Sequence, residues 1–143
     1  MRRTSRFATT LFLSVGLVDK ADATEPLNLL ERLVDETTVD VGSKGDSRGD
    51  LFVFVNDLYD FNGAVKVGVE RGYCVRIEVG KSWECTWTNV LGDGQIIVSG
   101  PWFDKGESTL VITGGTGKYV GVKGSLRIYG CVKDTCQFKY LFE

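Results

Sequence analysis

The chain reads as an all-β protein, most simply an eight-stranded antiparallel β-barrel. Three observations carry that reading. Apolar and polar residues alternate with period two along seven stretches of the body. Turn signals built on Gly, Asp and Asn separate those stretches at intervals of roughly ten residues. Finally, Gly114, Gly115, Gly117, Gly121 and Gly124 crowd one segment between two β-branched runs, Ser108–Thr113 and Gly124–Ile128. A helix would lose backbone entropy at each of them. A barrel corner instead uses glycine for positive φ and for close approach of strands.

Taken in order, the chain begins with Arg2, Arg3 and Arg6, an uncharged apolar run Phe7–Val18, and a small-residue segment Ala21-Asp22-Ala23. This is the layout of a secretory signal peptide over residues 1–23, which leaves 24–143 as a single barrel domain. An N-terminal amphipathic helix retained as a lid is the alternative. Leu27–Glu36 fits either a short helix, favoured by propensity, or a first strand. Thr37–Asp50 reads as a polar loop; its Arg48-Gly49-Asp50 tripeptide reads as loop chemistry rather than an adhesion motif. In Leu51–Tyr59, Phe52, Phe54 and Asn56 share one face while Leu51, Val53 and Val55 share the other. Both faces are largely apolar, which predicts cover on both sides, outside by an oligomer contact. Val65–Val79 and Ser82–Leu91 form the next hairpin, and Gly92-Asp93-Gly94 turns into Gln95–Phe103, a strand broken near Gly100-Pro101. Gln137–Phe142 closes the barrel.

At 143 residues the chain has the size of one domain with a real core. Formal net charge is −2, and no basic block occurs, which argues against nucleic acid. No apolar run reaches membrane-spanning length. The absence of histidine removes Ser-His-Asp and Cys-His machinery and most zinc hydrolase designs, leaving carboxylate, tyrosine, lysine, cysteine or water for proton chemistry.

Four cysteines stand at 74, 85, 131 and 136, each pair bracketing a hairpin turn. Opposed residues of an antiparallel pair approach closely enough for a disulfide, so Cys74–Cys85 with Cys131–Cys136 needs only the predicted hairpins. Four buried free thiols are the other reading. A metal site is disfavoured, because no CxxC and no histidine completes a ligand set. Gly114-Gly115-Thr116-Gly117-Lys118 is not a phosphate loop: Ile112 and Tyr119 stand where that motif needs Gly and Ser/Thr. Trp83, Trp87 and Trp102 suit either a core or an aromatic pocket, and Phe52 and Phe54 favour the pocket, since a small barrel offers its interior as a site. On a strand, Glu31 points inward and its pKa rises by desolvation; on a helix it sits on the wet face.

Four motifs make the chain resemble the allene oxide cyclase barrel family, which shares its fold with dirigent proteins. They are Gly49-Asp50-Leu51 through Phe54 with Asn56-Asp57-Leu58-Tyr59; Gly72-Tyr73-Cys74-Val75; Gly100-Pro101-Trp102; and Thr113-Gly114-Gly115-Thr116-Gly117-Lys118-Tyr119 with Gly121 and Gly124. The match runs over roughly residues 28–142 and is similar to secreted, bacterial-type barrels more than to the longer plant enzyme. The resemblance implies an eight-stranded barrel with an apolar cavity, often trimeric, in which an unstable fatty-acid allene oxide closes to a cyclopentenone without a cofactor. Shape enforces the folded conformer and a first-strand carboxylate with a water stabilises developing charge. Related barrels in polyketide pathways steer cycloadditions by the same shape control.

Carried onto this chain, the resemblance makes Glu31 the catalytic carboxylate and Phe52, Phe54, Asn56, Cys74 and Trp102 pocket residues. Leu33 replaces an asparagine that helps hold the water, and Asn89 replaces a pocket phenylalanine. Trp87 and Arg76 join the expected pocket from strand alternation. The expected function is a cofactor-free cyclase or isomerase acting on an apolar reactive intermediate. A non-catalytic dirigent-like or lipocalin-like binding barrel is the alternative, and a filled barrel acting at a surface or on a partner is the third. Expected partners are an apolar small molecule and further copies of the chain, as a trimer or dimer, in a secreted setting.

Overall fold

The computed structural model describes residues 25–143; the expected signal peptide or lid, residues 1–23, lies outside them. The described residues hold eight strands: β1 (Leu27–Val39), β2 (Leu51–Asp60), β3 (Lys66–Glu78), β4 (Ser82–Leu91), β5 (Gly94–Phe103), β6 (Ser108–Gly117), β7 (Gly124–Val132) and β8 (Thr135–Phe142). Each pairs antiparallel with the next, and β1 pairs with β8 to close the barrel. The eight-stranded antiparallel barrel expected from the alternation is therefore what forms.

Leu27–Glu36, open between helix and strand, is strand, and β1 runs on to Val39 through residues expected to be loop. Helical propensity loses because both edges of this segment find ladders, Leu29 opposite Asp60 on β2 and Phe138 on β8. β5 is continuous where a break was expected. Its ladder to β6 ends at Ser99, so Pro101 lies where only β4 is a partner and its missing N–H is tolerated. At the glycine cluster, β6 runs into the segment before turning. A Cβ on Gly115 would lie 2.2 Å from the Tyr119 carbonyl oxygen, and Gly117 has φ +59°, so close approach and left-handed backbone both select glycine there.

Alternate residues of each strand point inward. Leu58, Ile96, Val98, Leu110, Leu126 and Tyr140 form the fully buried floor. The outward face of β2 is not covered within the chain: Val53 and Val55 are exposed, with Tyr73 of β3 opposite Val53.

The long β1–β2 loop is tied down by Asp50. That residue is buried. Its carboxylate accepts from the Val41 and Ser47 amides and the Ser47 hydroxyl, which holds its pKa below the ordinary carboxylate value. The Arg48-Gly49-Asp50 tripeptide thus spends its carboxylate inside the loop. Both expected disulfides are formed, Cys74–Cys85 across opposed positions of β3 and β4, and Cys131–Cys136 across the β7–β8 turn. Disulfides of this kind belong to an oxidising, extracellular-type environment. Among the described residues no helix is long and apolar enough to cross a membrane.

Candidate active site

Because the sheet is a meander, the β1–β2, β3–β4, β5–β6 and β7–β8 connections all gather at one end. A cavity of about 490 Å³ opens there, its rim including Phe103–Glu107 residues of the β5–β6 turn and Lys133 of the β7–β8 turn. Glu31, Phe52, Phe54, Asn56, Cys74, Trp87 and Trp102, all expected at the site, line it together.

One wall is aromatic. Trp102 stacks on Phe52 with ring centroids 5.8 Å apart; Phe52 meets Phe54 at 5.5 Å, and Phe54 meets Trp87 edge-on at 5.9 Å. These side chains come from inward positions of β2, β4 and β5. Gly72 makes the arrangement possible. It lies opposite Trp87, and a Cβ there would stand 2.3 Å from the Trp87 Cβ.

The other wall is polar and begins with a bulge. The β1–β2 register shifts between Arg32 and Asp35, which releases the Val34 amide from the ladder. That N–H donates to Asn56 Oδ1 at 3.0 Å, fixing the amide so that Nδ2 donates to Glu31 Oε1 at 2.8 Å and to Glu36 Oε1 at 3.4 Å. Glu31 is only 4% exposed. Burial, then the charge of Glu36, pushes its pKa up to about 7, while hydrogen bonds with Glu70 and Asn56 pull the other way. Glu70, 3% exposed on β3, hydrogen-bonds Glu31. Its pKa is raised well above the ordinary value by burial and then by the charge of Glu31. Two carboxyl groups in hydrogen-bond contact need a proton between them, so the pair titrates as a unit. Burial also raises Glu36. The Tyr140 hydroxyl, buried nearby, is held well above its usual pKa by burial and then by Glu70 and Glu31.

Two expected pocket residues lie elsewhere. Arg76 points inward as its parity requires but does not line the cavity. Its guanidinium bonds Asp46 Oδ1 and Asp104 Oδ1, both at 2.7 Å, and sits 3.9 Å from the Trp83 ring centroid. It stands behind the rim as a strut between the β1–β2 loop and the β5–β6 turn. Asn89 is fully buried with Nδ2 donating to the Ile96 carbonyl at 3.2 Å, below the cavity. Glu78, on the same parity as Arg76, is exposed at the end of β3. Cys74 lines the wall as a disulfide, not as a thiol.

Glu70 and Glu36 were not anticipated. Glu70 shares parity with Cys74, four residues on, so the alternation carried a signal for it. Glu36 has the opposite parity to Glu31, and only the bulge brings it inward. Among the described residues, no group of three or more metal-ligating side chains has the geometry to hold a metal ion.

Comparison with known proteins gives a consistent picture. The family model described as allene oxide cyclase matches residues 13–142. Among solved structures, a pyocyanin demethylase is similar with a TM-score of 0.75 and 24% identity, covering 83% of this chain and 100% of its own. A pterocarpan synthase dirigent protein gives 0.69 and 13%, covering 95% and 96%. The Diels Alderase AbmU from Streptomyces koyangensis gives 0.63 and 12%, covering 86% and 70%. At these identities the structural likeness shows a shared barrel.

Proposed function

The chain belongs to the allene oxide cyclase family, and on that premise we propose that it is a cofactor-free cyclase or isomerase acting on a reactive, largely apolar intermediate. The observation that carries the reading is the buried Glu31 carboxyl, oriented by Asn56 and coupled to Glu70, at the polar wall of a cavity whose other wall is aromatic. The aromatic wall holds the intermediate in a folded conformer, which converts ring closure into a near-attack arrangement. The Glu31 carboxyl then meets charge that develops during closure. Near neutral pH it exchanges a proton with Glu70, so the site can present either a carboxylate or a carboxylic acid to the reacting edge. Similar barrels are named for a Diels–Alder reaction, a demethylation and pterocarpan synthesis, all of them reactions of small molecules.

The test uses a fatty-acid allene oxide generated in situ, as the free acid and as its methyl ester. The expected result is an enantiomeric excess in the cyclopentenone, lost with a roughly 10²-fold drop in rate in Glu31→Gln. Racemic product at the spontaneous rate from both substrates overturns the cyclase reading. A dirigent-like binding barrel is the second reading, favoured by the dirigent-type structural likeness. It gives stereochemical bias without any dependence of rate on Glu31. The exposed strip of Val53, Val55 and Tyr73 supports self-association as a dimer or trimer, which native mass spectrometry reads directly.

A further inference from the structure

The bulge in β1 is held from two sides. The register with β2 breaks between Arg32 and Asp35, and the two amides inside the break find different partners. Val34 donates to Asn56, which orients Glu31. Leu33 donates to the Asp134 carbonyl at 2.9 Å, at the tip of the β7–β8 turn. That bond lies just beyond the β1–β8 ladder, which ends with Arg32 opposite Thr135. The segment that aims the acid is therefore pinned by a turn from the far end of the chain. On its β7 side that turn has little ladder of its own. The β7–β8 register breaks between Tyr129 and Val132, Gly130 and Lys133 have φ of +59° and +53°, and Val132 opposite Thr135 is the pair formed beyond the break. The Cys131–Cys136 disulfide spans the break. Both cysteines line the cavity, and Cys136 stands opposite Glu31 on β1. The two disulfides of the barrel also differ in access. Cys74 and Cys85 are 1% and 2% exposed, whereas Cys131 is exposed and Cys136 half-buried. Thiol exchange needs a thiolate to reach a sulfur, so the bridge at the cavity is the one open to it.

We propose that the Cys131–Cys136 disulfide is a thiol-sensitive clasp on the cavity: closed, it makes the β7–β8 turn pin the β1 bulge and keeps Glu31 enclosed; reduced, it frees the turn and admits water to the acid wall. The inference rests on the proposed reading of Glu31 as the working carboxyl, and it names the regulation of that site. The two cysteines act on the carboxyl through Asp134, Leu33, Val34 and Asn56, which makes them positioning residues. The reductant is a thiol, small or protein-borne. Its thiolate attacks the Cys131 sulfur, the S–S bond breaks, and Cys136 leaves as a thiolate. A second thiol then displaces Cys131 from the mixed disulfide, and the reductant departs as its own disulfide. Two electrons enter the chain, and the two thiol protons end on Cys131 and Cys136. Burial is the main cause that lifts the Glu31 carboxyl. Water arriving beside it restores part of the hydration that favours the carboxylate. Release of the turn also moves the Asp134 charge, one of the causes that raise Glu36.

The experiment treats the oxidised full chain with graded dithiothreitol, caps free thiols with iodoacetamide and locates the label by peptide mass. Cys131 and Cys136 should be labelled at least about 10-fold faster than Cys74 and Cys85, with the circular dichroism of the barrel retained. In that partly reduced chain the titration midpoint of the Glu31 carboxyl, followed by carbon NMR, should fall from near 7 by at least about 1 pH unit. Glu36, Glu70, Tyr140 and Asp134 act within the same cluster, so Glu36 and Glu70 are followed in the same spectra. Cys131→Ser with Cys136→Ser should show the lowered midpoint without reductant and no further change with it. A bridge with a structural role alone would lower the melting temperature and leave the midpoint in place. Labelling of all four cysteines together, loss of the barrel when this bridge opens, or an unmoved Glu31 midpoint each overturns the inference. Ring closure of a fatty-acid allene oxide should lose enantiomeric excess on reduction and regain it on reoxidation; an excess indifferent to reduction overturns the clasp as a regulator. A midpoint that moves while neither form gives any excess sinks the cyclase reading and leaves the clasp standing.

Discussion

The barrel contains two charge clusters, each built around a buried group, that differ in one respect. Around Arg76, a guanidinium is held by Asp46 and Asp104 and lies over Trp83, so its charge is matched on the spot. Around Glu31, three carboxyls and one amide converge with no cation among them. The matched cluster fixes the geometry of the rim. The unmatched one stores unfavourable electrostatic energy that a proton or a ligand can relieve. The two clusters are separated by whether the counter-charge is built in.

The comparison is broken most severely by removing the built-in cation. Arg76→Met removes charge-assisted hydrogen bonds to Asp46 and Asp104 and the contact over Trp83, and unfolding by urea should show a loss of about 3 kcal/mol. The next largest effect sits in the unmatched cluster and has the opposite sense. The folded-state pKa of Glu31 lies near 7, above its ordinary 4.5. The native state therefore keeps a proton that the unfolded chain has already released. Stability should fall as pH rises from about 4.5 to about 7, by on the order of 3 kcal/mol. Glu31→Gln should flatten that slope in thermal melts from pH 5 to 8, a window fixed by the same pair of values. A slope that survives the substitution assigns it to Glu70 or elsewhere. The smallest effect tests the coupling. Glu36 is the least buried of the three carboxyls, so Glu36→Gln should change stability by no more than about 0.5 kcal/mol. It should nonetheless lower the titration midpoint of the Glu31 carboxyl, followed by carbon NMR, because the Glu36 charge is one cause of its elevation.

The barrel itself was legible because period-two alternation and glycine-based turns are local signals. The same locality explains what alternation left open. Leu27–Glu36 carries residues that favour helix, and the ladders on both its edges decide for strand. Inward parity turns Phe52, Phe54, Asn56 and Trp87 toward the cavity. It also turned Arg76 inward, yet the carboxylates that take it out of the cavity arrive from a loop and a turn distant in sequence. Glu70 was visible by parity alone, as a neighbour on the Cys74 face. Glu36 was not, because a bulge reverses parity after Arg32 and no residue in Glu31–Glu36 announces it.

Every pairing in this barrel but one joins strands adjacent in sequence; the exception is β1 with β8, where Glu31 lies opposite Cys136. Seven pairings close loops between strands that follow one another. The eighth pairing spans nearly the whole chain and carries the largest loop entropy of all. Glu31 belongs to that seam. Its hydrogen-bond partner Asn56 and the aromatic wall depend on local pairings, but the carboxyl is enclosed only when the two ends of the domain meet. An open sheet with every hairpin formed would have the ring wall and not the acid cavity. The chemistry of the site is in that sense a reporter of completed closure.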